Sequence, residues 1–126
     1  MGTTVQTHTI LLVEDDAVLR EAFRLFLEDV GYRVVEAGTA AEALPAVAET
    51  PPALVLLDLG LPDRPGLDIA REMKRKPATR ATPVFALTGR VGADERRACL
   101  EAGCALYLAK PVEPRQLLRR ITEALG

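Results

Sequence analysis

The residues best suited to chemistry come directly after short apolar runs that are typical of buried strands. In chain order they are Glu14, Asp15, Asp16, Asp58, Thr88 and Lys110. Carboxylates held close together repel one another, and a hard divalent cation such as Mg²⁺ relieves that repulsion through oxygen ligands. A carboxylate beside such a cation can attack phosphorus, while a hydroxyl and an ammonium group can bind phosphoryl oxygens. These residue types therefore indicate phosphoryl transfer to an aspartate.

Five short apolar runs alternate with amphipathic segments along the chain. The runs predict strands at residues 9–13, 32–37, 53–57, 83–87 and 106–109, and the other segments predict helices at 19–30, from 39, at 67–75, at 94–102 and from 114. Strands of a parallel sheet covered on both faces are apolar throughout, so this alternation predicts an α/β fold with a doubly wound five-stranded parallel sheet and five helices. Such sheets bind ligands beyond the carboxyl ends of their strands, where we expect the six residues to meet.

Several turns and helix ends carry local signals. Asp16 is predicted to cap the first helix rather than to bind a ligand, because its carboxylate can accept hydrogen bonds from free helix amides. The residues TAAE at 39–42 predict a capping box. Pro45 is expected to bend or shorten the second helix, because it lacks an amide and crowds the preceding turn. Gly66 is expected in a turn that needs a positive φ, and Asp63 is expected to be a loop acid.

Length and charge limit the possible classes of protein. The 126 residues suit one domain, which we place at residues 9–126 after a flexible lead-in at residues 1–8. A formal net charge of −2 gives no electrostatic case for direct nucleic-acid binding, and no apolar run predicts membrane insertion. The lead-in lacks the apolar core of a signal peptide, so we expect a cytoplasmic protein in which Cys99 and Cys104 are reduced.

Four motifs stand in register with the predicted strand ends. They are ILLVEDD, LLDLGLPDRPGLD, ALTG and YLAKP, with 43 residues from Asp15 to Asp58, 30 more to Thr88 and 22 more to Lys110. In type, order and interval they resemble the motifs of response-regulator receiver domains, the phosphoacceptor domains of bacterial two-component signalling. The resemblance covers residues 9–125 and implies a flavodoxin-like sheet with strand order 2-1-3-4-5.

The resemblance implies roles for the residues at the strand ends. Asp58 would be the phosphorylated residue, and Thr88 and Lys110 would complete the catalytic set. Lys110 would pair with the carboxylate of Asp58 and then with the phosphoryl group. Asp15 would be the main acid that binds Mg²⁺, with Glu14 acting largely through water. The full set of metal ligands would be Glu14, Asp15, Asp58 and the carbonyl of Gly60.

Further positions would control switching and the lifetime of the phosphoryl group. Thr88 and Tyr107 match the switch pair of the family, in which the aromatic ring moves inward when the hydroxyl is drawn to the phosphoryl group. Gly60 and Arg90 match the two positions that flank the phosphoryl group in the family, and they would control its dephosphorylation. Gly60 has no side chain to orient an attacking water, and Arg90 can obstruct it, so we expect slow self-dephosphorylation.

The implied function is a phosphorylation-dependent signalling switch in a two-component system or phosphorelay. The phosphoryl donor would be a histidine kinase or a histidine phosphotransfer protein, and the chain would be an acceptor domain with weak autophosphatase activity rather than an enzyme. Residues 101–118 look closer to receivers that stand alone or belong to hybrid kinases. Cys104, Ala105 and Leu106 replace acids that help many DNA-binding receivers to dimerise, so we expect a monomer or a weak dimer.

Alternative classes fit the residues less well. A haloacid-dehalogenase-type phosphatase needs a second acid two residues after its nucleophile, where this chain has Gly60. A flavodoxin-like carrier would need a hydroxyl-rich phosphate loop and stacking aromatics, whereas the chain has no Trp and two Tyr. The alternative that remains open is a pseudo-receiver, a binding module that never needs phosphate. Its usual mark is loss of the acceptor, the acidic pair or the lysine, and all of these are present.

Overall fold

The apolar runs form strands and the amphipathic segments form helices, as the sequence predicts. The structure, a computed structural model, describes residues 7–90 and 92–126. Within these residues the strands are β1 (Thr9–Val13), β2 (Arg33–Ala37), β3 (Leu54–Asp58), β4 (Val84–Thr88) and β5 (Leu106–Ala109). The helices are α1 (Ala17–Asp29), α2 (Ala40–Glu49), α3 (Leu67–Arg75), α4 (Ala93–Glu101) and α5 (Pro114–Leu125).

The strands form one parallel sheet in the order β2-β1-β3-β4-β5, which confirms the predicted topology. The chain leaves β1 toward β2 on one side and returns to β3 on the other. The helices that follow β1 and β3 therefore lie on opposite faces of the sheet, and a crevice opens between the ends of these two strands. Val13 pairs with Leu57, so the acids that follow these two residues emerge side by side.

The core consists of two apolar layers, one on each face of the sheet. In β3, Val55 and Leu57 face the layer that includes α2, α3 and α4, while Leu54 and Leu56 face the layer that includes α1 and α5. All four side chains are fully buried. Burying one such side chain stabilises the fold by about 1.5–3 kcal/mol, so the central strand is firmly held between the two layers.

Asp58 and Thr88 are the last residues of β3 and β4, whereas the sequence predicts each directly after its strand. The hydrogen-bond ladder continues past both residues. The amide of Leu59 donates to the carbonyl of Leu87 at 3.0 Å, and the amide of Lys110 donates to the carbonyl of Thr88 at 2.8 Å. The backbones of Asp58 and Thr88 are therefore fixed by the sheet.

The first two helices begin at side-chain caps. Asp16 accepts hydrogen bonds from the amides of Val18 and Leu19 at 3.0 and 3.2 Å, which confirms its predicted role as a cap. At α2, Thr39 accepts from the amide of Glu42 at 3.1 Å, as a capping box requires. The carboxylate of Glu42 accepts from the amide of Gly38 at 2.6 Å, one residue before the position that the capping box predicts.

Pro45 lies inside α2 and does not end it. The helix continues for four residues beyond it, to Glu49. Ala40, Ala43 and Val47 lie on the buried face of α2, and their packing against the core holds the helix despite the missing amide.

A carboxylate from the loop between β3 and α3 also caps α2. Asp63 accepts from the amides of Ala40 and Ala41, each at 3.0 Å. These amides, that of Ala40 foremost, hold the pKa of Asp63 below its usual range. The loop acid predicted from the sequence therefore holds the loop after Asp58 against the second helix.

Residues 1–6 of the predicted lead-in lie outside the described residues. The carbonyl of His8 accepts from the amide of Arg33 at 3.0 Å, so pairing with β2 begins just before β1. Among the described helices, none is both long and apolar enough to cross a membrane.

Gly66 is required for a close approach of the backbone and not for a positive φ, which corrects the sequence-based expectation. Its φ is −58°, in the helical region, and it is buried. A Cβ at this position would lie 2.7 Å from the carbonyl oxygen of Asp58 and 2.8 Å from the Cα of Leu59. The start of α3 thus packs directly on the backbone of Asp58 and Leu59.

We expect Gly66→Ala to lower the free energy of unfolding by about 1–3 kcal/mol, because the new methyl group presses on backbone that cannot rotate away. Urea denaturation measures the change. Gly89→Ala is the matched control, since a Cβ there meets nothing within 4 Å. Equal destabilisation in the two variants would contradict the steric explanation.

Candidate functional site

The carboxyl ends of the strands surround an open cleft of about 690 Å³. The sequence-predicted residues that line it are Glu14, Asp15, Asp16, Asp58, Gly60, Thr88, Arg90 and Lys110. The cleft also includes Glu95, an acid in the first turn of α4 that sequence reasoning missed. No local pattern relates that turn to the other strand ends, because its position depends on the loop after β4.

Lys110 is paired with two buried carboxylates. Its Nζ lies 3.0 Å from Oε1 of Glu14 and 3.1 Å from Oδ1 of Asp58. Glu14 is 1% exposed and Asp58 is 5% exposed. The sequence predicts the pairing with Asp58 but not the direct contact with Glu14.

Backbone groups hold the two buried carboxylates in place. The amide of Glu14 donates to the carbonyl of Ala37 at 2.9 Å, which extends the pairing of β1 with β2 by one residue. Oε2 of Glu14 accepts a hydrogen bond from the amide of Asp16 at 3.2 Å, and Oδ1 of Asp58 accepts one from the amide of Gly60 at 3.2 Å. Asp16 lines the cleft, but its carboxylate is occupied by the amides of α1.

The environment separates the pKa values of the two buried carboxyl groups. Burial, together with the neighbouring Asp58, raises the pKa of Glu14 from 4.5 to about 7, although Lys110 and the amide of Asp16 oppose the shift. For Asp58, burial is outweighed by the amide of Gly60, by Glu14 and by Lys110, so its pKa is lowered. Asp58 is therefore ionised at neutral pH, while Glu14 is the group that holds a proton more readily.

The ammonium group of Lys110 keeps its charge in this setting. Burial acts to lower its pKa, but the carboxylates of Glu14 and Asp58 outweigh burial, and the pKa is raised. The cleft thus contains a fixed positive charge beside an ionised carboxylate.

Three acids of the cleft have the arrangement of a cation site. Glu14, Asp15 and Asp58 each offer one carboxylate oxygen, and these oxygens lie within 4.8 Å of one another. Asp15 is exposed and the other two acids are buried. A donor set of oxygens alone suits a hard cation, and an exposed side leaves room for water ligands, so the residues present fit Mg²⁺.

The hydroxyl groups of Thr88 and Tyr107 converge on the backbone of Arg90. Oγ1 of Thr88 accepts from the amide of Arg90 at 3.0 Å and lies 3.4 Å from its carbonyl oxygen. The hydroxyl of Tyr107 donates to the same carbonyl at 2.6 Å. The structure therefore links the two predicted switch residues through the backbone of Arg90, a connection that the sequence does not reveal.

The comparison with known families identifies the chain. Residues 10–122 match the response regulator receiver domain. The chain belongs to this family. This confirms the family that the four motifs indicate, and it places the acidic cleft in a receiver domain of two-component systems.

Curated relatives include transcriptional regulators. The receiver domain is 37% identical over 117 residues to the phosphate regulon transcriptional regulatory protein PhoB of Pseudomonas aeruginosa, covering 93% of this chain and 51% of that protein. It is 35% identical over 116 residues to the transcriptional regulatory protein KdpE of Mycobacterium tuberculosis, covering 92% of this chain and 50% of that protein. The chain thus spans about half the length of these curated relatives.

Solved receiver structures have the same fold. A CheY-like receiver domain from Methanospirillum hungatei is 32% identical, with a TM-score of 0.89 over 95% of this chain and 94% of that chain. The receiver domain of the sensor histidine kinase PA1611 from Pseudomonas aeruginosa is 31% identical, with a TM-score of 0.87 over 96% of this chain and 99% of that one. The latter structure is described with a magnesium ion coordinated in its active site cleft.

Proposed function

We propose that this receiver domain accepts a phosphoryl group on Asp58 from a histidine kinase or a histidine phosphotransfer protein, with Mg²⁺ as cofactor. The observation that carries the proposal is the position of Lys110, which lies within 3.1 Å of two buried carboxylates. A carboxylate kept ionised beside an ammonium group is prepared to act as a nucleophile. We infer a cytoplasmic location, where such donors present their phosphohistidines.

In the proposed reaction, a carboxylate oxygen of Asp58 attacks the phosphorus of a phosphohistidine. The new P–O bond forms as the P–N bond breaks, and the imidazole leaves with the electron pair. Lys110 and the amide of Gly60 both bind Oδ1, so we assign Oδ2 as the attacking oxygen. Lys110 then pairs with the phosphoryl oxygens.

The acids Glu14 and Asp15 would hold Mg²⁺ together with Asp58, and the carbonyl of Gly60 would complete the protein ligands. When bound, the cation offsets the negative charge of the acids and of the incoming phosphoryl oxygens. The magnesium ion described in the PA1611 receiver supports this assignment. The fit of the three carboxylates in this chain supports it independently.

The switch step follows from the hydrogen bonds of Thr88. A phosphoryl oxygen would compete with the backbone of Arg90 for the hydroxyl of Thr88, which lies close to both Arg90 backbone groups. Movement of this hydroxyl would free the turn that Tyr107 also contacts. A charge added at Asp58 would thereby alter the surface around α4 and β5.

The pseudo-receiver alternative has less support. The acceptor, the acidic pair and the lysine are all present, and Lys110 contacts both Glu14 and Asp58. A binding module would not need this buried pairing of charges, which is costly to desolvate.

We expect acetyl phosphate or phosphoramidate to modify Asp58 in a Mg²⁺-dependent reaction, because the acids repel an incoming phosphate unless a cation is present. Mass spectrometry of the treated protein locates the modified residue. Asp63→Asn is the matched control, because Asp63 belongs to the same loop but binds amides of α2. Labelling that persists in Asp58→Asn, or that a chelator leaves undiminished, would reject the assignment, whereas a parent protein that takes up no label would favour the pseudo-receiver.

Lys110→Ala and Thr88→Ala are expected to lose different properties, the rate of labelling and the response of Tyr107 to phosphorylation, respectively. Loss of Lys110 removes positive charge from the reacting centre and should slow labelling by roughly 100-fold. Thr88→Ala should retain most of the labelling but lose the response of Tyr107 to phosphorylation, measured by NMR, while Thr88→Ser keeps both. Parallel loss of rate and response in the two alanine variants would argue against separate roles.

The phosphoryl group is expected to be long-lived, because no side chain at residue 60 can orient water and Arg90 lines the approach to Asp58. Gly60→Asn and Arg90→Glu should both shorten the half-life of the aspartyl phosphate, which is measured directly as loss of the phosphoryl group. Arg97→Glu controls for the change of charge, because Arg97 lines a different surface beside α4 and β5. If the parent protein lost its phosphoryl group faster than both variants, Arg90 would instead assist hydrolysis.

A further inference from the structure

The guanidinium group of Arg20 joins two parts of the chain, the end of β2 and the loop of Glu14, Asp15 and Asp16 after β1. We call this loop the acidic loop. Nη1 of Arg20 donates to the backbone carbonyl of Glu14 at 2.7 Å, and its Nε donates to Oε1 of Glu36 at 3.2 Å. Arg20 lies in the first turns of α1, and it is not one of the residues that line the cleft. Arg20 therefore contacts the acidic loop from outside the cleft.

Arg20 completes the set of contacts that fix Glu14. The other contacts are the bond from the amide of Glu14 to Ala37, the bond from the amide of Asp16 to Oε2, and the pairing of Oε1 with Lys110. The contact with Arg20 acts on the carbonyl, which belongs to the peptide that joins Glu14 to Asp15. The direction in which the exposed Asp15 projects depends on the orientation of that peptide.

The chain leaves space for this guanidinium group at Gly38. A Cβ at residue 38 would lie 3.1 Å from Nη1 of Arg20 and 3.4 Å from Oε1 of Glu42. A larger residue would therefore press on the arginine without removing its charge. The glycine at this position thus allows Arg20 to reach the acidic loop.

We propose that Arg20 is a positioning residue for the acidic pair Glu14 and Asp15, and that its bond to the carbonyl of Glu14 sets the affinity of the cleft for Mg²⁺. This inference rests on the proposed function. A guanidinium group presents several donors in a fixed plane, so it can hold the carbonyl and the carboxylate of Glu36 at one spacing. A lysine carries its three donors on one freely rotating nitrogen, so it cannot hold both groups at that fixed spacing.

Arg24 provides a matched control on the same helix. It binds the other oxygen of Glu36 through Nε at 3.1 Å and Oε1 of Glu28 through Nη1 at 3.0 Å. Its described ion pairs involve only glutamates of α1 and β2. Replacing Arg24 therefore disturbs the same ion-pair network without removing the bond to Glu14.

The test is the dissociation constant for Mg²⁺, measured by NMR titration of the full chain and followed at the amides of residues 15 and 16. We expect Arg20→Gln to weaken binding by about 10-fold, as loss of a group that orients metal ligands typically does. Arg20→Lys should give an intermediate value, and Arg24→Gln should change binding by less than about twofold. Removal of a positive charge near a cation site would by itself tighten binding, so weaker binding identifies lost positioning.

Two further readouts keep the inference testable. In the absence of Mg²⁺, the amide shifts of residues 15 and 16 should change in Arg20→Gln and not in Arg24→Gln. Gly38→Ala keeps Arg20 but should weaken Mg²⁺ binding. If Arg20→Gln does not fold, the dissociation constants of Gly38→Ala and Arg20→Lys for Mg²⁺ test the inference instead.

The outcomes separate the two proposals. A parent protein that does not bind Mg²⁺ would overturn the proposed function. If the parent binds Mg²⁺ and the folded Arg20 variants bind it as tightly as the parent, or no more weakly than Arg24→Gln does, only the positioning role of Arg20 would be overturned.

Discussion

The site depends on one buried arrangement of charge, in which a single ammonium group contacts two carboxylates and offsets their mutual repulsion. Lys110 lies 3.0 Å from Glu14 and 3.1 Å from Asp58, and both acids are almost fully buried. The two acids share the positive charge unequally, since the pKa of Glu14 is raised to about 7 whereas that of Asp58 is lowered. The proton therefore favours Glu14, and Asp58 remains ionised at neutral pH.

This arrangement requires a fixed register across the strands. Val13 pairs with Leu57, so Glu14 and Asp58 follow at the same level. Asp58 pairs with Leu87 and Leu87 with Leu108, so Lys110 lies two residues further along and its side chain reaches both acids. A slip of one residue in any pairing would turn the charged group toward the opposite face, into an apolar layer. The two apolar layers require particular strand residues to be buried, and this requirement fixes the register of the strands. The layers thereby also fix where the acids at the strand ends lie.

Much of the fold and site could be predicted from the sequence, because strands, helices and motifs leave periodic or local signals. Contacts between distant loops leave no such signal. Asp63 caps α2 across more than twenty residues, and Gly66 is required by the nearby backbone of Asp58 rather than by its own φ. The pairing of Lys110 with Glu14 was missed for the same reason, since 96 residues separate them and only the packed sheet brings them together.

The two sides of the cleft are supported by separate contacts that meet at Asp58 and Lys110. On one side, Arg20 holds the loop of Glu14 from α1 and β2. On the other side, Thr88 and Tyr107 share the backbone of Arg90. Among the described hydrogen bonds, none joins Arg90 with Arg20, and the two sides are linked instead through Lys110. Its amide donates to the carbonyl of Thr88 at 2.8 Å, and its Nζ lies 3.0 Å from Oε1 of Glu14. The acidic loop therefore has supporting contacts of its own, and Lys110 is the residue through which a change on one side would reach the other.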